Sequence, residues 1–441
     1  MEFRLDGVIN INYGKCGIGK INLELKPLGR CSRCRKNDAI INLAYARQRL
    51  CKDCFNDFFT KRVRRVVEEF RMFKPGERVA VAVSGGKDSV ALLHALKKAF
   101  PEQEIYAFYI NLGIKYYSDH LEKKVIELAE MVGVPIEIYN LKEKEGYTID
   151  DFLLTKYKNK MCSVCGAIKR NIFTMLAVKV NAEAVATGHN LDDTVSTMMS
   201  LFFSGDFEGI ARLKPVLKPL IKGQPRKIKP LITTPEIEDL YYVALNELPV
   251  QECGCPHGEF TPIKGMKKWL DEMEKEQPDI KFRLLSVFRR KFIPLVEKGL
   301  NFEESIKEVR ACTVCGMPSS SEICSKCRRV MELMGVKERR GDINMEITFE
   351  ELERLRENER VILLDVRDRK EYEVYTLEGA INIPADEIQK RWKELLKYKR
   401  THKIVVFCNA GRSSYAVAVK LRNLGFDAYN LKGGIMSHIQ P

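Results

Sequence analysis

The sequence predicts an α/β protein: a doubly wound parallel sheet flanked by two small four-cysteine ribbons, with a second, smaller α/β unit in the tail. Three observations carry this. Arg78–Phe100, RVAVAVSGGKDSVALLHALKKAF, reads as strand, glycine turn and helix, and further strand and helix patterns alternate after it. Two pairs of C-x2-C knuckles bracket that region. Near the end, KIVVF runs into CNAGRSS and then a helical pattern.

A chain of 441 residues is expected to hold two or three domains. No apolar run approaches membrane-spanning length on reading, and MEFRLDGVIN is not a signal peptide, so a cytoplasmic location with no membrane partner is expected. Fourteen cysteines in such a chain point to metals or sulfur chemistry rather than disulfides, because twelve of them pair as C-x2-C or nearly so. The net charge is +14; residues 345–441 hold 17 basic and 15 acidic residues, so residues 1–344 carry +12. A basic excess concentrated there points to a polyanion, nucleic acid first, against the plainer reading of a generally basic protein.

Val79–Val83 is a β-branched, apolar run suited to a buried parallel strand. Ser84, Gly85, Gly86, Lys87, Asp88 and Ser89 follow, and Val90, Leu92, Leu93 and Leu96 recur at helical spacing. Glycines that admit backbone N–H groups, a helix N-terminus and a lysine together make an anion site. The loop is not G-x-x-x-x-G-K-[ST], which argues against hydrolysis at a γ-phosphate. It resembles the PP-loop, S-G-G-x-D-S, of the ATP pyrophosphatases (the HUP-like fold), which cleave ATP between the α and β phosphates and place AMP on a substrate oxygen.

Residues 1–27 form an extension of unknown role; GKCGIGK within it lacks the Ser or Thr a Walker A loop needs, and Cys16 stands alone. Residues 28–60 are a first ribbon, in which Cys31, Cys34, Cys51 and Cys54 can close a tetrahedral S4 site, with zinc the expected metal. Arg33, Arg35, Lys36, Arg47 and Arg49 around it could touch phosphate or form a solvated face. A basic amphipathic helix over Phe55–Phe73 leads into the central domain, 61–305. Strands are expected at Ile105–Ile110, Ile136–Leu141 and Ala184–Thr187, and helices at His120–Met131 and Ala167–Val180. Ligands bind at the carboxyl ends of such strands, so Ser84–Ser89 and Thr187–Asp193 (TGHNLDD) are expected to face one crevice. There Gly188 and His189 are candidates for ATP, and Asp192 and Asp193 could hold Mg²⁺ or place a proton; an Asp pair opening a helix is also an ordinary N-cap.

Cys162 and Cys165, in MCSVCGAIKR, lie at a loop-to-helix junction that stabilises thiolates, with Lys169 and Arg170 one turn on. Their nearest partners are Cys253 and Cys255 in ECGCPHGEF. Three ligands would leave one position open on a [4Fe–4S] cluster, as substrate binding requires. A redox dithiol, or a third zinc site using His257, stays open on the residues alone. Lys214–Lys229 has six cations and no acid and reads as a mobile basic loop that could contact phosphate. Residues 306–335 hold the second ribbon, Cys312, Cys315, Cys324 and Cys327, again expected to bind zinc. Val330–Met345 reads as a linker, with 336–345 as its domain boundary.

The tail, 346–441, pairs strands Val361–Val366 and Lys403–Phe407, then a loop and a helix to about Gly425. Cys408, cradled by loop amides at a helix start, has the setting of a nucleophile. A cysteine phosphatase would need Arg where Ser414 stands. The loop and the DVR, EY and GAINIP motifs resemble the rhodaneses, which carry a persulfide on this cysteine. Thr376 and Leu377 replace that family's Gly-His, and Arg412 sits one place early.

Residues from about 28 to 335 resemble the TtuA-type tRNA 2-thiouridine synthetases, a branch of the TtcA/TtuA PP-loop enzymes. The shared pieces are the first ribbon, SGGKDS, MCSVCGAIKR, TGHNLDD, PLITTPEIEDLYYVAL, the Cys-Pro-His element and the last ribbon. TtcA-type enzymes, which thiolate a cytidine, lack the ribbons, so the resemblance favours uridine. It implies cluster ligands at Cys162, Cys165 and Cys255, with Cys253 a rival for the third, a catalytic Lys at Lys169 and an Asp among Asp192 and Asp193. It implies ATP, Mg²⁺, a [4Fe–4S] cluster and Zn²⁺ at two sites as cofactors. The implied partners are tRNA, a sulfur donor (thiosulfate, persulfide or sulfide), a sulfur-carrier protein and a second copy of the chain. The expected reaction adenylates the C2 oxygen of a uridine and replaces it with sulfur from the tail's Cys408. Cytidine thiolation, an adenylating ligase for a small molecule, and an RNA-binding zinc protein that stores sulfur are the alternatives.

Overall fold

The computed structural model describes residues 2–3, 9–13, 21–219, 221, 223–250, 254–258, 262–299, 309–340 and 344–439. GKCGIGK, Cys16 and Cys253 lie outside them. Glu2–Phe3 (β1), Ile9–Tyr13 (β2) and Ile21–Leu25 (β3) pair antiparallel in chain order. The first ribbon follows, with Ile41–Leu43 (β4) and Gln48–Leu50 (β5) as its hairpin. The basic amphipathic helix runs over Lys52–Glu69 and buries Phe55, Phe59, Val63, Val66 and Val67.

The central sheet contains Val79–Ala82 (β6), Ile105–Asn111 (β7), Ile136–Asn140 (β8), Ala184–Ala186 (β9), Val216–Leu217 (β10) and Arg226–Ile228 (β11). Their order is β10-β11-β9-β6-β7-β8, parallel except for β10. The chain steps outward from β6 to β8 and then returns to place β9 on the other side of β6. That reversal opens a crevice at the carboxyl ends of β6 and β9. β6 is buried throughout, as expected of a central parallel strand.

Three expectations change. The basic stretch after Lys214 is not a plain loop: β10 and β11 form a hairpin that extends the sheet, with Lys227 and Lys229 on or beside it. The presumed linker is helical from Ser325 to Arg340, with Leu333 fully buried. Lys158–Lys179 is long and apolar enough to cross a membrane by length and composition. It is instead packed under the sheet, burying Val164, Ile168, Ile172 and Leu176.

Arg310–Ala311 (β12) and Pro318–Ser319 (β13) form the hairpin of the second ribbon. The tail holds a five-stranded parallel sheet of Glu346–Ile347 (β14), Val361–Asp365 (β15), Ile381–Asn382 (β16), Lys403–Phe407 (β17) and Ala428–Leu431 (β18), in the order β14-β18-β17-β15-β16. One apolar core runs from the central domain into the tail: Phe108, Phe152, Ile168, Val406 and Tyr415 belong to the same buried cluster.

Candidate functional site

The two loops meet as expected. After β6 the backbone turns through Gly85 at φ 77°, where a Cβ would lie 2.3 Å from Leu121. The turn is closed by Ser89, whose Oγ accepts from the Ser84 N–H at 3.0 Å and donates to the Gly86 carbonyl at 3.0 Å. The helix Lys87–Ala99 begins there, so its first N–H groups point into the crevice. Gly188, after β9, packs directly on this turn: a Cβ would lie 2.9 Å from the Ser89 nitrogen. Asn190 ties the loops together, donating to Asp88 at 3.3 Å and to Asp239 at 3.1 Å.

The crevice floor is a network of charges that sequence reading missed. Lys87 lies 2.6 Å from Glu236 and 3.0 Å from Asp88. Lys267 lies 2.9 Å from Glu236 and 2.6 Å from Asp193. Burial raises the Glu236 carboxyl, but the Lys87 and Lys267 charges outweigh it and hold the group at about 2. Asp239 is fully buried; burial first, then the Asp88 charge, pushes it well above the usual carboxylate range.

The aspartate pair divides. Asp192 is buried, with Oδ1 2.5 Å from Lys281 and Oδ2 accepting from the Glu236 N–H at 2.6 Å. Oδ2 holds the start of the Glu236–Leu245 helix and Oδ1 is bound by Lys281 of the Ile280–Val287 helix, so a magnesium ligand or proton carrier at Asp192 does not fit. Asp193 stays at the crevice with Lys267. Neither aspartate is the N-cap; Asn190 is, accepting from the Asp193 N–H at 3.0 Å. His189 bonds Thr187 at 2.9 Å through Nδ1 and sits in the field of Lys229, Asp193, Lys169 and Arg170. The thiol centre therefore adjoins the ATP-type loop.

That centre gathers Cys162 and Cys165, on the first turn of the Met161–Lys179 helix, with Cys255 and Lys169. The lysine is raised, foremost by Cys165, with Cys255 and Cys162 contributing. Cys255 is pushed up to about 12 by burial and then by the Cys165 charge. The Cys162 thiol donates to the His257 carbonyl at 3.6 Å, so the Cys-Pro-His loop is pinned to the helix. His257 turns Nε2 to Asp150 at 2.7 Å. Among the described residues, sets of three or more ligand atoms all within 4.8 Å occur only in the two ribbons. A single tetrahedral zinc, with Zn–S bonds of about 2.3 Å, needs sulfurs about 3.8 Å apart. The wider trio does not fit one such ion; three thiols around a larger group fit a cluster, and His257, with Nε2 on Asp150, keeps a buried Nδ1 that no hydrogen bond satisfies.

Residues 56–242 match the family described as PP-loop domain, 30–56 that described as 2-thiouridine synthetase TtuA, N-terminal LIM domain, and 348–439 that described as Rhodanese-like domain. A tRNA-5-methyluridine(54) 2-sulfurtransferase of Pyrococcus horikoshii is 33% identical over 299 residues, 68% of this chain and 93% of that protein. The chain belongs to the tRNA 2-sulfurtransferase family. A second member, from Thermotoga maritima, is 31% identical and covers 68% of this chain and 95% of its own length. The U34-tRNA thiolase NcsA from Methanococcus maripaludis, solved with its [4Fe-4S] cluster, shares the fold: TM-score 0.56 at 24% identity, over 72% of this chain and 98% of that one.

This sulfurtransferase carries both ribbons as assembled four-cysteine sites. Cys34 and Cys51 stand 3.8 Å apart, and Cys315 and Cys324 3.7 Å apart, the edge length of a tetrahedral S4 site. Burial raises Cys31, but the N–H groups of Cys34, Cys51 and Arg33 outweigh it and hold the thiol at about 6. Cys312 is likewise about 6, with N–H groups of Cys324, Cys315 and Val314 outweighing burial. Beside the first ribbon, a cleft of about 490 Å³ is lined by Leu28, Asn42, Ala44, Arg47 and Arg49.

In the rhodanese tail, Cys408 directly follows β17 and the helix Arg412–Asn423 starts after Gly411. Ser414 donates to the Cys408 sulfur at 3.2 Å, filling the place a phosphatase arginine would need. Thr376, at the replaced Gly-His position, donates to Asp365 at 2.8 Å, and Asp365 also holds Arg367 at 2.6 Å.

Proposed function

We propose that this sulfurtransferase uses ATP to adenylate the C2 oxygen of a tRNA uridine and exchanges that oxygen for sulfur, with the tail as donor. The adjacency of the Ser84–Ser89 loop to the Cys162–Cys165–Cys255 centre carries this reading: Gly188 packs against Ser89 at one end of a loop whose His189 feels Lys169. The loop amides and Lys87 would receive the phosphates, Lys87 exchanging Glu236 for ATP, and Asp88 and Asp193 would hold Mg²⁺. The uridine oxygen attacks the α-phosphate and pyrophosphate leaves. AMP is then a far better leaving group than oxide, and hydrosulfide displaces it at C2.

Cys162, Cys165 and Cys255 would hold a [4Fe–4S] cluster, which when bound supplies an open iron for sulfur. Lys169 would neutralise charge at the thiols. Converting the outer sulfur of a Cys408 persulfide to hydrosulfide consumes two electrons, which a dithiol supplies. Zinc is the proposed ion in both ribbons. The basic ribbon cleft and the β10–β11 hairpin would contact tRNA phosphates. The names of the relatives above 30% identity favour uridine 54 over the wobble position.

The test is nucleoside mass spectrometry of unmodified tRNA after anaerobic incubation with cluster-reconstituted protein, ATP, Mg²⁺ and sulfide. A 2-thiouridine that needs ATP, Lys87 and Cys162 is expected, mapping to position 54. A thiocytidine would reassign the base, and no thionucleoside would sink the reading in favour of a small-molecule ligase.

A further inference from the structure

The contact between tail and central domain is built, not incidental. Asp150 sits buried at its centre. One carboxylate oxygen receives the Tyr415 hydroxyl at 2.7 Å from the tail and the Lys115 N–H at 3.0 Å. The other faces His257 Nε2 at 2.7 Å. His257 in turn accepts the Cys162 thiol through its carbonyl. Tyr415 is on the first turn of the helix that follows the Cys408 loop, next to Ser414, which touches the Cys408 sulfur. Three residues thus connect the cysteine loop of the tail to the thiol centre. A second contact runs beside it: Glu346 of β14 binds Lys115, accepts from Tyr116 at 2.7 Å and is braced by Asn430 at 3.0 Å. Tyr116 packs edge-on against Tyr415 with ring centroids 5.4 Å apart.

An ordinary linker-joined donor needs no such register, since a tether alone raises local concentration. A buried carboxylate that must be satisfied from both sides costs stability unless both partners are present, which fixes one docking geometry. We propose that Asp150, read from one side by Tyr415 and from the other by His257, is a positioning residue that registers the Cys408 loop against the thiol centre, so that sulfur loaded on Cys408 is used within the docked chain. This rests on the reading of the tail as sulfur donor. The bridge itself carries no chemistry.

The test uses the full chain, cluster-reconstituted, with Tyr415→Phe and separately Glu346→Gln. Thiolation is measured with thiosulfate plus dithiol and with free sulfide, alongside persulfide on Cys408 by mass spectrometry and hydrogen exchange over residues 148–154 and 412–418. Tyr415→Phe is expected to lower the thiosulfate-driven rate about tenfold, the scale of one lost hydrogen bond to a buried charge. The sulfide-driven rate and the loading of Cys408 should stay within about twofold, a split that simple loss of structure would not give. Glu346→Gln should show the same split at smaller size. Equal losses with both donors, or none with either variant, would overturn the proposal. If the parent chain uses sulfide but never thiosulfate, the donor reading fails; hydrogen exchange then judges the bridge alone, and unchanged exchange in Tyr415→Phe overturns it.

Discussion

The ribbons and the thiol centre use the same residue to opposite ends. In each ribbon four sulfurs gather within 4.8 Å of one another, one pair at 3.7–3.8 Å, with backbone N–H groups holding one thiol at about 6. In the centre two thiols come from one helix turn and the third from a distant segment, Cys162 touching a loop 95 residues on, with Lys169 hydrogen-bonded to Cys165 beside them. Closure yields stability; an incomplete, wider set leaves room for a reacting group.

The largest test of this contrast is Cys324→Ser against Cys162→Ser. Loss of a ribbon ligand should remove one of the two zinc ions proposed for the ribbons and unfold the ribbon, since structural zinc sites carry about 10–16 kcal/mol of apparent binding energy. Cys162→Ser should leave zinc content and the melting temperature unchanged while abolishing cluster absorbance and thiolation. Metal analysis and a thermal melt on both variants decide it; equal loss of stability would erase the distinction.

Lys281→Met comes next. It strips Asp192 of its buried partner and should cost about 3–5 kcal/mol in urea unfolding. Gly188→Ala should cost about 1–3 kcal/mol and raise the KM for ATP, because its Cβ would press on the Ser89 nitrogen at 2.9 Å. Unchanged ATP affinity would show that the two loops are not one site. The smallest effect is on acid stability. Glu236 is held at about 2, below its ordinary value, so its contribution is present above about pH 4.5 and is lost as pH falls toward 2. Its side chain is 33% exposed, so solvent screening reduces this to about 1 kcal/mol. Glu236→Gln should flatten that part of the unfolding curve.

What could be read from the chain alone was what is local. The Ser84–Ser89 turn, the parallel strands and the ribbons announce themselves within a few residues, and strand ends fell within one residue of their observed places. The helix Ser325–Arg340 was hidden by its charges, although Val330, Leu333 and Met334 had helical spacing. The charge network under the crevice was not legible, because Lys87 and Glu236 are 149 residues apart. TPEIED did signal an acidic helix start, but not its partners. Nor could any pattern show that Tyr415 reaches Asp150 across 265 residues.

The β10–β11 hairpin also settles how the large sheet ends. A parallel sheet with a bare edge invites pairing with another chain and hence aggregation. Here the outermost strand is two residues long, runs opposite to the rest and is followed directly by Lys218. So short and charged a margin makes a poor template for a foreign strand. The hairpin proposed to meet nucleic acid therefore also keeps the sheet from growing at this edge.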